Sequence, residues 1–243
     1  MRKVRFGKLD AWVAGGTDRE GGGGGPVLVL LHGFGAPGTD LVPLWRQIET
    51  SSEVRFVFLG APLVLEPGLP DEVAARAWWM IDIGEMQQKV AAGRIDELVE
   101  RVPEGLAEGR TALAGALDAI ERDLSVPSSG VVLGGFSQGS MLACDFALHD
   151  ERPLAGLVLL SSTLIARSEW LNLAPRRAGL PVLQSHGRAD PILPFGLAEK
   201  ERDLLSAAGL DVEFITFNGG HGIPGGVLDA LSGFLRRTTG SAS

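Results

Sequence analysis

A chain of 243 residues that is 45% hydrophobic can bury a full core, and its formal net charge of −8 excludes the basic stripe with which a nucleic-acid binder neutralises phosphates. The single cysteine, Cys144, excludes an internal disulfide and reads most simply as a small buried hydrophobe. Met1 to Lys8 carry charge without an apolar run, and the longest aliphatic stretch, Val27 to Leu31, is far short of a membrane span, so the expectation is a cytoplasmic protein, monomeric or homodimeric, with no membrane span and no nucleic-acid partner.

Residues 2–14 alternate loosely, with Val4, Phe6, Leu9 and Trp12 as apolar positions, and predict an opening antiparallel pair of strands. Gly15 to Gly25 read as a flexible connector, since no Gly-Lys-Ser/Thr follows to make a phosphate cradle. Val27 to Leu31 are apolar at every position, as in a strand covered on both faces, and run into the glycine-rich turn His32-Gly33-Phe34-Gly35-Ala36-Pro37-Gly38. A helix near 40–50 and a second buried strand over 54–59 follow. From 60 to 84 the pattern dissolves into an irregular stretch with Pro62, Pro67, Pro70 and the pair Trp78-Trp79; loops of this length inside compact domains are usually functional. Residues 85–101 and 104–124 predict helices, the second with Leu106, Leu113, Leu117, Ile120 and Leu124 at core-facing spacing.

Strands are predicted at 130–134, 156–160, 181–185 and 211–217, helices at 138–149, 196–208 and 225–237, and a frayed tail at 238–243. Strand and helix alternating in this way predict one α/β domain over 1–243, a mostly parallel central sheet with helices on both faces and the 60–84 segment inserted over its edge.

Val131 to Gly139 hold the chemistry together. Three apolar residues close a strand, Gly134-Gly135 turn the chain, and a helix starts after Ser137, which therefore sits at a strand-to-helix corner in a Gly-x-Ser-x-Gly pattern. With 34 glycines in the chain the pattern is expected by chance about 0.3 times, so its surroundings must carry the case. They do so by position. In an open parallel sheet ligands bind beyond the carboxyl ends of the strands, and four such ends carry polar or glycine-rich signals: His32 to Gly35, Ser137, Ser185 to Pro191, and Asn218 to Gly222.

The order Ser137, Asp190, His221 is that of a nucleophile, an acid and a base on successive turns. A serine hydroxyl needs an imidazole to take its proton, and the imidazole needs a carboxylate to hold its tautomer. His149 reads instead as a helix-end residue, His32 and His186 as braces of their loops, Asp40 as a cap or brace, and Asp82 as structural in the tryptophan loop. The backbone N–H of Gln138, the residue after the serine, and that of Phe34 in the first glycine turn are the candidate oxyanion donors. No metal site and no cofactor is expected, because no cysteine/histidine cluster has ligand spacing.

Three blocks, Leu31-His32-Gly33-Phe34-Gly35 with Gly38, Gly135-Phe136-Ser137-Gln138-Gly139, and His186-Gly187 with Asp190-Pro191 and Pro194, together with Gly220-His221-Gly222, resemble the acyl-protein thioesterase, or phospholipase/carboxylesterase, family of α/β-hydrolases. The resemblance covers about residues 26–236 and implies an α/β-hydrolase fold, Ser137, Asp190 and His221 as triad, and the amides of Phe34 and Gln138 as oxyanion hole. It further implies that Leu63 to Leu65 and Trp78-Trp79 shape an acyl pocket; read from the residues alone, the tryptophan pair fits a core position as well as a pocket, and Leu164, after a strand end, is a further candidate. The expected activity is hydrolysis of small to medium acyl esters or thioesters through an acyl-enzyme, with acyl transfer, lysophospholipase-like activity or an inactive binding module as alternatives.

Overall fold

Buried apolar strands pair here in parallel because helices cover both faces of the sheet. The computed structural model describes residues 1–240. Its main strands are β1 (Arg2–Phe6), β2 (Leu9–Gly15), β3 (Val27–Leu31), β4 (Arg55–Leu59), β7 (Val131–Phe136), β8 (Gly156–Leu160), β9 (Pro181–Gly187) and β10 (Asp211–Phe217), and β5 (Leu63–Val64) and β6 (Arg76–Ala77) form a separate short pair. The helices are α1 (Ile83–Ala91), α2 (Ile95–Glu100), α3 (Leu106–Asp123), α4 (Gln138–His149), α5 (Arg167–Leu173), α6 (Phe195–Ala207) and α7 (Gly225–Thr239).

The eight-stranded sheet runs β1-β2-β4-β3-β7-β8-β9-β10. Its first two pairings are antiparallel and the rest parallel, so the expected mostly parallel α/β-hydrolase sheet is what the chain forms. Alternation within β3 explains its unbroken apolar run: Val27, Val29 and Leu31 enter one core, and Leu28 and Leu30 the other. All five core-facing positions predicted for the 104–124 helix are buried, Leu124 just past the end of α3. The chain leaves β3 toward β4 on one side, while β7 joins β3 on the other, so the crevice beyond the β3 and β7 ends is the topological switch point at which such sheets bind ligands.

Several boundaries differ from expectation for local reasons. The predicted 85–101 helix is two helices, because Gly93 at φ 70° ends α1 in a left-handed cap. The stretch near 40–50 forms only a short 3-10 turn over Val42–Arg46, and its N-cap is Leu41, so Asp40 caps nothing there. Helix α5 was not anticipated, and the irregular 60–84 segment contains the β5–β6 pair. In the expected frayed tail, Thr238 and Thr239 complete α7, and residues 241–243 lie outside the described residues. Among the described residues no helix is long and apolar enough to cross a membrane.

Candidate active site

Ser137 sits between β7 and α4 at φ 54°, ψ −120°, a strained conformation typical of a serine presented at a sharp strand-to-helix corner. Close packing makes the corner possible. A Cβ on Gly139 would lie 2.2 Å from the Leu31 carbonyl oxygen, and one on Gly135 would lie 2.4 Å from the Gly139 carbonyl carbon, so only hydrogen fits at either. The Ser137 N–H donates to the Leu160 carbonyl at 2.9 Å, tying the corner to β8.

The first glycine turn packs beside the serine, since a Cβ on Gly33 would meet the Ser137 Cβ at 3.3 Å. His32, fully buried, braces that turn: its Nε2 accepts from the Ala61 N–H at 3.0 Å, which leaves the proton on Nδ1 to donate to the Gly33 carbonyl at 2.8 Å. Burial lowers its pKa to about 4, with Arg76 nearby adding to the effect, so the ring is neutral.

The remaining two residues meet where β9 and β10 end. Backbone bonds from Arg188 to Phe217 and from Ala189 to Gly219 continue the pairing beyond the strands, and Gly187 allows the close approach, since a Cβ there would lie 2.2 Å from the Gly220 carbonyl oxygen. Asp190 Oδ2 then accepts from His221 Nδ1 at 2.7 Å, and Oδ1 accepts from the N–H groups of Ile192 and Leu193 at 2.8 and 3.0 Å. Burial alone would raise the Asp190 pKa, but His186, His221 and the two amides outweigh it and hold the carboxyl far below the usual carboxylate range. An ionised Asp190 fixes the His221 proton on Nδ1, which leaves Nε2 as the free base.

Ser137, His221, Gly33, Phe34 and Gln138 line one cavity of about 800 Å³, and the ring of Phe136, the residue before the serine, lies 4.8 Å from the His221 imidazole. Leu63, Trp79 and Leu164 line it as well. Leu65 and Trp78 do not. Leu65 is held back by pairing with Ala75, and Trp78 is buried in the core, where its indole N–H donates to the His32 carbonyl at 2.9 Å.

The Gln138 side chain makes contacts that its motif position hides: its oxygen accepts from the Trp78 N–H at 3.0 Å and its amide donates to the Trp79 carbonyl at 2.7 Å. The tryptophan segment is thereby clamped to the start of α4. The apolar walls also draw on Met86 and Val90 of α1, Leu98 of α2 and Met141 of α4, helical positions whose spacing reads equally as core. Asp82, read from the sequence as structural, caps α1 by accepting from the Glu85 N–H at 2.8 Å and also borders the cavity, as does Asp40.

Behind the site lies a polar group that the sequence did not signal. Glu201 of α6 is completely buried, accepting from Ser162 Oγ at 2.9 Å and from Gln184 Nε2 at 3.0 Å. Burial pushes its pKa up to about 8, against the pull of Ser162 and His186. The folded protein therefore keeps a proton that the unfolded chain loses above about pH 4.5, so stability is expected to fall as pH rises from about 4.5 to 8, on the order of 5 kcal/mol from this group. Thermal unfolding of wild type and Glu201→Gln across that range checks it; equal pH slopes in the two proteins would refute it. Elsewhere, Asp145, His149 and Glu169 are near enough to hold a cation, but Asp145 already accepts from Arg110 at 2.6 Å and from the Trp170 indole at 3.0 Å. His149 ends α4, as read from the sequence, and the buried Cys144 thiol has its pKa pushed up by desolvation.

Comparison with known proteins gives the chain its family and fold. The family model for phospholipase/carboxylesterase matches residues 23–239. An acyl-protein thioesterase 1 from Neurospora crassa is 30% identical over 218 residues, covering 86% of this chain and 85% of that protein. Among solved structures, esterase PE8 superposes with a TM-score of 0.74 at 26% identity, covering 95% of this chain and 99% of that one. A Bacillus cereus carboxylesterase shares the fold at a TM-score of 0.72 and 24% identity, over 95% of this chain and 94% of the other. With strand order, serine corner and family match in agreement, the chain belongs to the phospholipase/carboxylesterase family of α/β-hydrolases.

Proposed function

We propose that this cavity is the active site of a serine hydrolase that cleaves acyl esters or thioesters, with Ser137, Asp190 and His221 as triad. The observation that carries the reading is the 2.7 Å bond from His221 Nδ1 to a buried, ionised Asp190, with His221 and Ser137 lining one cavity. His221 Nε2 takes the Ser137 proton as the oxygen attacks the acyl carbon, and Asp190 stabilises the imidazolium that results. The carbonyl oxygen becomes an oxyanion beside the N–H groups of Phe34 and Gln138; the latter opens α4, where N–H groups have no helical acceptor and the dipole favours negative charge.

His221 then protonates the leaving alkoxide or thiolate, and water, deprotonated by the same imidazole, releases the acid from the acyl-enzyme. Leu63, Trp79 and Leu164, with Met86 and Val90, supply an apolar wall for the acyl chain. We assign the whole chain to one domain, and its single buried thiol suits a cytoplasmic setting.

An acyl-chain series of paired p-nitrophenyl esters and thioesters tests the substrate class. The expected result is a kcat/KM that rises with chain length from acetyl by at least about tenfold, since each buried methylene contributes about 0.8 kcal/mol. A flat series would remove the acyl-pocket assignment.

A further inference from the structure

His186 takes no part in the mechanism above, yet it touches the same carboxylate. Its imidazole is completely buried at the end of β9, with Nε2 3.3 Å from Asp190 Oδ2 and 2.9 Å from the Leu193 carbonyl oxygen. Both neighbours are acceptors, so Nε2 carries a proton and donates to them. Among the described residues Nδ1 has no hydrogen-bond partner, so the ring's polar engagement is on the Asp190 side. Oδ2 also accepts from His221 at 2.7 Å, so one carboxylate oxygen serves two imidazoles.

We propose that His186 is a positioning residue for proton transfer: by donating to Asp190 Oδ2 it fixes the carboxylate toward His221 and draws off charge that would otherwise hold the His221 proton more tightly. The inference rests on Asp190 and His221 being the partners of Ser137. Removing a donor from a carboxylate leaves more negative charge for the remaining one, so the His221 imidazolium becomes more stable. The sign is the same whether His186 is neutral or cationic, because loss of a cation beside Asp190 acts in the same direction. The charged and titratable groups around the ring are Asp190 on its own loop, His221 across that carboxylate, Glu201 from α6, and Arg188, which lies on the Phe195 ring 6.1 Å from the imidazole.

The test is the pH profile of kcat/KM on a p-nitrophenyl ester, between about pH 5 and 9, for wild type, His186→Ala and His186→Gln. In His186→Ala the acid limb is expected to move up by about one pH unit, giving about tenfold lower activity at low pH and a plateau above about pH 8 within threefold of wild type. Glutamine, which restores an N–H donor, is expected to bring the limb back. Should His186→Ala fail to fold, His186→Leu fills the volume without a donor and makes the same comparison with glutamine.

A uniform loss at every pH with the limb unmoved, or a glutamine variant that behaves like alanine, would overturn the inference. Asp190→Ala and His221→Ala serve as controls. If they lose activity while the His186 limb stays in place, only the His186 proposal fails; if they keep full activity, the triad beneath it fails.

Discussion

Ser137→Ala is expected to lower ester hydrolysis by about 10⁴-fold or more while leaving the fold intact. The magnitude follows from what the hydroxyl does: without Oγ no acyl-enzyme forms, and only the weak catalysis of the oxyanion donors and of substrate binding remains. The fold should survive because the Ser137 backbone, not its side chain, makes the bonds that hold the corner, through its N–H to Leu160 and its carbonyl to the N–H groups of Ser140 and Met141. The φ of 54° is a conformation in which alanine is strained much as serine is, so unfolding temperatures within a few degrees of wild type are expected. Steady-state rates, a fluorophosphonate probe and circular dichroism together make the check. Probe labelling that persists in Ser137→Ala, or retained turnover, would show that another residue is the nucleophile.

His221→Ala and Asp190→Ala are each expected to cost about 10⁴-fold in kcat, and neither should reduce the residual rate of Ser137→Ala further. Non-additivity is the informative part, because three residues that act in one proton transfer can be lost only once. The two variants should differ in stability. His221 is partly exposed at the cavity, so truncation leaves water to serve Asp190, and the loss should be small. Asp190 is the acceptor for Ile192, Leu193, His186 and His221, and removing it strands buried donors, for an expected loss of about 3 kcal/mol. Urea unfolding of the two variants beside their rates separates the roles; full additivity of the rate losses would show that the residues do not work as a unit.

How far the residues could be read in advance depended on the range of the interaction. Ser137 was legible because its corner is local: the apolar run, the glycine pair and the helix that follows lie within about a dozen residues. Asp190 and His221 were legible as strand-end residues in a fixed order, and the structure joins them at 2.7 Å although they lie 31 positions apart. Trp78, which the resemblance placed in the pocket and the residues alone left open between pocket and core, is core for the opposite reason. Both tryptophans are buried, and nothing within the segment says which of them also borders the cavity; the Gln138 side chain, about 60 positions away, bonds the backbone of both, and in that placement Trp79 lines the cavity while Trp78 does not. The break at Gly93 was a local signal that went unread, whereas the walls contributed by α1 and α2 carried no distinguishing signal.

Local backbone chemistry and the periodicity of apolar residues, both written in the sequence, were enough to determine the α/β layering and the serine corner, because each depends on neighbours a few positions away, and to nominate the strand-end residues of the proposed triad. Tertiary structure decided which tryptophan enters the cavity, that Gln138 clamps the loop, that His186 shares the Asp190 carboxylate, and that Glu201 is buried behind the site. Those outcomes depend on which side chains from distant segments are packed out of water together, and a buried polar group takes whichever partner the packing leaves within hydrogen-bond reach.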